Sequence, residues 1–163
     1  MALIQKILKY RGYNTLKEYN QHLIMKDKED NIIIVFMNND DLNISILKSY
    51  LEILETSNVK HAIIVYENKI TPSSKKILAS ISHFYRIELF TFKEMSFDIQ
   101  QHKYYFPHIK LNKEERQEIV EKFGVKIPTI LETDPVIRFL GYRKGDIVKV
   151  IRKDNYISYR IVK

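Results

Sequence analysis

Glu67 and Lys69 stand two residues apart just after the apolar run HAIIVY, and Asp40 and Asp41 follow another such run, NIIIVFM. Acid-x-Lys beside a second carboxylate is the donor set of a metal-dependent nuclease. Two carboxylates would hold Mg²⁺ against a scissile phosphate, and the lysine would orient the attacking water or offset developing charge. The same spacing arises by chance in a lysine-rich chain, where it is a solvated turn after a strand, so geometry is the proper test. Other chemistry is poorly provided for. His22, His61, His83, His102 and His108 include no His-x-x-x-His pair for zinc, and Ser73, Ser74 and Ser80 lack a nucleophile-elbow context. With no cysteine there is no thiolate chemistry, and four glycines build neither common type of phosphate loop. No catalytic residue, metal or cofactor is expected outside the nuclease alternative.

Two further groups of residues suit binding rather than bond breaking. Thr71, Pro72, Ser73, Ser74, Lys75 and Lys76 open a helix with backbone N–H groups and two cations, an arrangement that favours phosphate. The plain alternative is a helix started by proline with two exposed lysines. The second group is TDPVIRFLGYRKGDIVKVIR, Thr133 to Arg152, in which cations alternate with Ile and Val. From Arg138 to the C-terminus eight Lys or Arg face only Asp146 and Asp154, so this end carries most of the net charge of +7. Such a basic segment points to an anionic partner or to a solvated lysine-rich surface.

The elements that must position these residues follow from hydrophobic periodicity. At 163 residues with 45% hydrophobic content, the chain can bury one sizeable core or two small ones. No run approaches the roughly 18 apolar residues of a membrane span, and MALIQKILKYRG places lysines where a signal peptide would be apolar, so neither membrane nor secretion is expected. Leu3, Ile4, Ile7 and Leu8 predict a first helix ended by Gly12. Thr15 and Glu18 form a capping-box pattern that predicts a second helix with Leu16, Tyr19 and Leu23 on one face. Residues 31–37, 61–66 and 86–92 read as strands, separated by helices over 42–54 and 72–81, which gives β-α-β-α-β and a parallel sheet.

Near residue 100 the pattern changes. Asn112 and Glu115 predict a capped helix that Gly124 stops, Asp134 and Pro135 start a short turn of helix that Gly141 ends, and DIVKVIR and YISYRIV predict an antiparallel hairpin. The reading is α+β in two domains joined near FDIQQHKYYFPHIKL. Residues 1–100 form an α/β domain with a mainly parallel sheet, and residues 101–163 a small mixed domain with helix and hairpin.

The C-terminal residues closely resemble the common fifth subunit of eukaryotic-type multisubunit RNA polymerases, whose C-terminal domain corresponds to a small separate polypeptide of the archaeal polymerases. The pattern T-D-P-V, Arg, Gly, G-D-V-V-K-I-x-R and a final Y-R-x-V falls here on Thr133, Asp134, Pro135, Val136, Arg138, Gly141, Gly145, Asp146, Ile147, Val148, Lys149, Val150, Arg152, Tyr159, Arg160 and Val162. Upstream, HIKLNKEERQEIVEKF and IPTI are similar to the family's preceding segments. KILKYRGY and ITPSSKK resemble its opening helix and its T-P-S-A-[RK]-K loop. Leu140 departs from the usual aromatic, and the hairpin connection RKDNY and the chain itself are shorter than is typical.

The resemblance implies a non-catalytic subunit anchored to the largest polymerase subunit by its C-terminal domain and forming part of the jaw around downstream duplex DNA. It further implies that Thr133, Asp134, Pro135, Val136, Arg138, Gly141, Gly145, Arg152, Tyr159 and Arg160 lie toward the subunit interface, and Thr71–Lys76 toward DNA. The N-terminal domain would share the fold of the acid-x-Lys nucleases without their activity. Location would be nuclear in a cell. The trimmed, Lys- and Ile-rich character leans instead toward a large DNA virus, with the protein in the virion and host cytoplasm. A free-standing basic nucleic-acid-binding protein and a nuclease using Glu67 and Lys69 are the alternatives.

Overall fold

The computed structural model describes residues 2–18, 22–124 and 126–163. The chain forms two compact units, Met1–Phe97 and Asp98–Lys163. Among the described residues, no helix is long and apolar enough to cross a membrane.

The first unit is built on a five-stranded sheet. Its elements are α1 (Ala2–Tyr10), β1 (Asn14–Glu18), β2 (His22–Lys26), β3 (Ile32–Asn38), α2 (Ile44–Thr56), β4 (His61–Tyr66), α3 (Pro72–Ile81) and β5 (Arg86–Thr91), with the strands in sequence order across the sheet. In β3 and β4 the runs Ile33–Phe36 and Ala62–Val65 are buried without interruption, because helices cover both faces. On one face Ile34, Phe36, Ala62 and Ile64 meet Leu47, Tyr50 and Leu54 of α2 and Ile77 and Leu78 of α3, and Tyr50 stacks on Phe36 at 4.2 Å. Ile33, Val35, Ile63 and Val65 alternate with these and point to the opposite face. Arg11, directly after α1, reaches Glu88 on that side, and Ile4, Ile7 and Leu8 of α1 are buried. Asn43 caps α2 and Thr71 caps α3, each accepting a backbone N–H three residues on.

Two expectations are corrected here. Residues 14–26 are a β-hairpin, not a helix. The buried residues from His22 to Lys26 are Leu23 and Met25, a period of two, and β2 pairs along its length with β3. Thr15 and Glu18 lie on β1, whose five residues are all exposed, so their spacing of three carries no capping function. Tyr19 and the side chain of Leu3 fall outside the described residues. The sheet is consequently mixed rather than mainly parallel: β1/β2 and β2/β3 are antiparallel, β3/β4 and β4/β5 parallel.

The second unit carries β6 (His108–Lys110), α4 (Lys113–Phe123), β7 (Thr129–Ile130), α5 (Pro135–Leu140), β8 (Ile147–Ile151) and β9 (Ile157–Val162), with sheet order β6-β8-β9-β7. β8 and β9 form the expected antiparallel hairpin. Its connection holds Asp154 and Asn155 at φ 58°, a left-handed pair that short polar side chains tolerate. Even-numbered residues Val148, Val150 and Val162 pack with Ile137 of α5, while Ile147 packs with Leu111, Ile127 and Ile119 of α4, so α5 lies over one face and α4 over part of the other.

One buried charge cluster ties the first unit together. Glu88 accepts from His61 Nε2 at 2.8 Å, from Arg86 at 2.9 Å and from Arg11 at 3.0 Å, and only 5% of the Arg11 side chain is exposed. Burial alone would raise the Glu88 carboxyl. The His61 hydrogen bond and the Arg11 and Arg86 guanidiniums outweigh that and hold it down to about 2. Burial pushes His61 down, with Arg86 and Arg11 adding to the effect against the pull of Glu88, so the ring is neutral near pH 7 and donates through Nε2. Because the folded pKa of Glu88 lies below its unfolded value, its stabilisation is full above about pH 4.5 and lost as pH falls toward about 2. Glu88→Gln should therefore cost about 3 kcal/mol near pH 7, where it strands the buried guanidinium. Urea denaturation at several pH values should show that gap closing between about pH 4 and pH 2.

Candidate assembly and DNA-facing surfaces

The Thr133–Arg152 segment is bound largely to itself and to the strands around it. Asp134 accepts from the N–H groups of Val136 (2.9 Å) and Ile137 (3.4 Å), Pro135 takes the first helical position of α5, and Gly141 ends it at φ 70°. The next turn needs Gly145 at φ 90°, whose N–H bonds Val162 O at 2.9 Å. Asp146 accepts from Arg143 N–H at 2.8 Å and from Lys110 Nζ at 2.9 Å, which fixes both the turn and β6. Tyr142 Oη accepts from Lys110 N–H and donates to His108 O at 3.1 Å. Arg160 donates to Thr129 O at 3.1 Å and joins β9 to β7, and the Arg152 guanidinium stands 5.9 Å from the Phe106 ring centre.

Of the residues expected near a subunit interface, Asp134, Gly141 and Gly145 thus have a role inside the fold. Thr133, Pro135 and Arg152 are exposed, and Val136, Arg138, Tyr159 and Arg160 are half-buried. Burial pushes His108 down, against the pull of the Phe106 carbonyl that its Nδ1 contacts at 2.7 Å. Sequence reasoning missed β6 and hence the partner of Asp146, since a three-residue strand shows no periodicity.

In the first unit, Thr71 and Ser74 are turned inward: Thr71 Oγ1 accepts from Ser74 N–H at 3.3 Å, its hydroxyl lies 2.8 Å from that of Ser74, and Ser74 is fully buried. Pro72, Ser73, Lys75 and Lys76 are placed at the helix start, with Ser73 exposed and Lys76 exposed beside it. The first turn of α3 therefore presents lysine ammonium groups and one outward-facing hydroxyl residue beside its N–H groups, a geometry able to meet a phosphate oxygen.

The nuclease donor set is loosely disposed. Glu67 and Lys69 are exposed, and Lys69 Nζ lies 3.8 Å from Asp41, so the lysine pairs with one of the proposed metal carboxylates. A parallel bridge between Leu42 and Ile70 holds the two loops side by side. Among the described residues, no group of three or more His, Asp or Glu side chains is arranged to hold a metal.

Comparison with known proteins agrees with the C-terminal motif. The family model "RNA polymerase Rpb5, C-terminal domain" matches residues 97–162. The chain is 30% identical over 143 residues to "DNA-directed RNA polymerases I, II, and III subunit RPABC1" of Caenorhabditis briggsae, covering 83% of this chain and 68% of that one. The protein of the same description from Dictyostelium discoideum is 33% identical over 144 residues, covering 83% and 73%. A solved structure, "Structure of EndoMS in apo form", aligns over 55% of this chain and 44% of that one at 21% identity with a TM-score of 0.38, a likeness too weak to bear on fold or activity. A motif that folds as one unit, together with relatives matched along both units, places the chain in the Rpb5 (RPABC1) family of DNA-directed RNA polymerase subunits.

Proposed function

We propose that the protein acts in transcription as a non-catalytic subunit of a multisubunit DNA-directed RNA polymerase, with the second unit as its assembly domain and the first facing downstream duplex DNA. The observation that carries this reading is the Thr133–Val162 motif within the matched segment, residues 97–162, which folds as a single unit with its own two small cores. The named relatives are subunits of polymerases I, II and III in cellular eukaryotes, which supports a nuclear location and gives the viral expectation no support.

In this reading the largest polymerase subunit is the partner of the second unit, and the α5 turn is one of its contacts. Arg138, half-buried on α5, stands in sequence between Ile137 and Phe139, which are both buried. In the first unit, Lys75 and Lys76 contribute attraction to the DNA backbone without reading its sequence. The subunit thereby shapes the cleft that holds DNA, while bond formation belongs to other chains.

Affinity purification of the tagged full chain from its own cells should bring down two very large polymerase polypeptides, identified by mass spectrometry. Recovery of nucleic acid without those chains would favour a free-standing nucleic-acid-binding protein instead. Arg138→Glu should weaken association by about 2–5 kcal/mol, read as lost incorporation with the denaturation midpoint of the isolated chain as control. Lys75→Glu with Lys76→Glu should leave incorporation intact and lower the salt slope of DNA binding by the assembled enzyme by about two units. With Mg²⁺ or Mn²⁺ the purified chain should leave duplex and single-stranded DNA uncut, and cleavage abolished by Glu67→Ala would restore the nuclease reading.

A further inference from the structure

At one end of the second unit's sheet two segments run side by side past the strands that define it. The Ile151 N–H bonds Pro107 O at 3.0 Å, and the Arg152 N–H bonds Tyr156 O at 2.8 Å. Residues 102–107, which lead into β6, and residues 151–157, which close the β8–β9 hairpin, therefore share that end. Their sequences are HKYYFP and IRKDNYI, in which four residues are aromatic and three are Lys or Arg, against the single carboxylate of Asp154.

The fold leaves much of this cluster uncovered. Tyr104 is 67% exposed and Tyr156 66%, and Lys103, Arg152 and Lys153 are exposed as well. Rings and cations are already brought together. The Lys103 ammonium stands 4.8 Å from the Tyr104 ring centre, and the Arg152 guanidinium lies 5.9 Å from that of Phe106, which packs against the core under α5. The turn carrying Tyr104 is held locally: His102 Nδ1 accepts the Tyr104 N–H at 3.3 Å, with the two ring centres 5.6 Å apart. Asp154 and Asn155, at φ 58°, shape the tip between Lys153 and Tyr156.

Open rings beside cations select a ligand with flat faces and closely spaced negative charge. A single nucleic-acid strand has both, since any base can stack on an aromatic side chain while the phosphates beside it meet lysine or arginine. A duplex fits less well, because its base faces are stacked inside and only its phosphates would be met. An acidic peptide would satisfy Lys103, Arg152 and Lys153 but would leave both tyrosine rings unused. A second copy of the chain would set the same cations against each other.

We propose that this end of the second unit is a stacking site for a single-stranded nucleic acid, with Tyr104 and Tyr156 taking bases and Lys103, Arg152 and Lys153 meeting phosphates. Such a site is indifferent to sequence, because every base offers a face. It gives the second unit a ligand of its own, beyond assembly and different from the duplex assigned to the first unit, and it does not rest on the assembly reading. Arg152 also belongs to the family pattern, so the substitutions that test the site leave it in place.

The test is fluorescence anisotropy of the isolated full chain with labelled oligothymidylate, oligouridylate and a duplex of equal length, each of about 12 nucleotides. The strands should bind more tightly than the duplex, and the ratio of the two strand affinities tells DNA from RNA. Tyr104→Ala with Tyr156→Ala should weaken strand binding about tenfold or more, and Tyr104→Phe with Tyr156→Phe should restore it. Lys103→Gln with Lys153→Gln should lower the salt slope of strand binding by about 1.4 units. Equal affinity for strand and duplex, or unchanged strand binding by the alanine variant, would overturn the proposal. Displacement of the strand by oligoglutamate as readily as by unlabelled strand would overturn it in favour of an acidic peptide. Ultraviolet crosslinking of the unaltered chain to a strand carrying iodinated pyrimidines gives an answer that does not depend on variant stability. Adducts at Tyr104 or Tyr156 support the site, and adducts confined to the first unit overturn it.

Discussion

β8 runs through the middle of its sheet, covered along the face of Val148 and Val150 and at Ile147 on the other, and the second unit is arranged around that constraint. Ile147 sits against the α4 side and Val148 and Val150 against the α5 side, each 2% exposed or less. A strand enclosed in this way cannot leave its backbone groups to water, so it must be paired along both edges. β6 supplies one edge and β9 the other. The turn before β8 must then deliver the chain into a filled site at a fixed angle, which is the work of Gly145 and Asp146. The N–H of Gly145 bonds Val162 O, and Asp146 bonds Arg143 and Lys110, so the same residues that aim β8 also hold its neighbours.

The first unit meets a comparable constraint with charge. Its central strands are enclosed, yet Glu88 on β5 points inward beside Ile63 in register. A lone carboxylate there would be neutralised by the cost of its desolvation. Three donors from three separated segments prevent this, Arg11 after α1, His61 on β4 and Arg86 on β5 itself. The cluster thereby joins the end of α1 to β4 and β5 through one carboxylate.

Much of this was legible in the sequence, and the failures have physical causes. NIIIVFM and HAIIVY were readable because strands enclosed on both faces become continuous apolar runs, and Asn112, Asp134 and Pro135 were readable because helix starts need specific side chains. The β1–β2 hairpin was not, since β1 is exposed on both faces and has no apolar period to find, while a chance Thr-x-x-Glu spacing imitated a helix start. β6 and β7 are too short to show any pattern, and they exist because β8 and β9 have edges to fill. The Arg11–Glu88 pair joins residues 77 apart, and no local signal connects them.

These facts separate what makes the motif recognisable from what it touches. Asp134, Gly141, Gly145 and Asp146 are each required by a cap, a left-handed turn or a turn-closing carboxylate, so few other residue types can stand in those positions. That intolerance makes the pattern specific enough to identify a family, and it is a property of the fold's interior. Contact with another chain uses whatever the fold leaves uncovered, where many residue types are sterically acceptable and only charge and apolarity constrain the choice. What identifies the family and what touches another chain are therefore answers to different physical demands, and the motif's most restricted positions answer to the first.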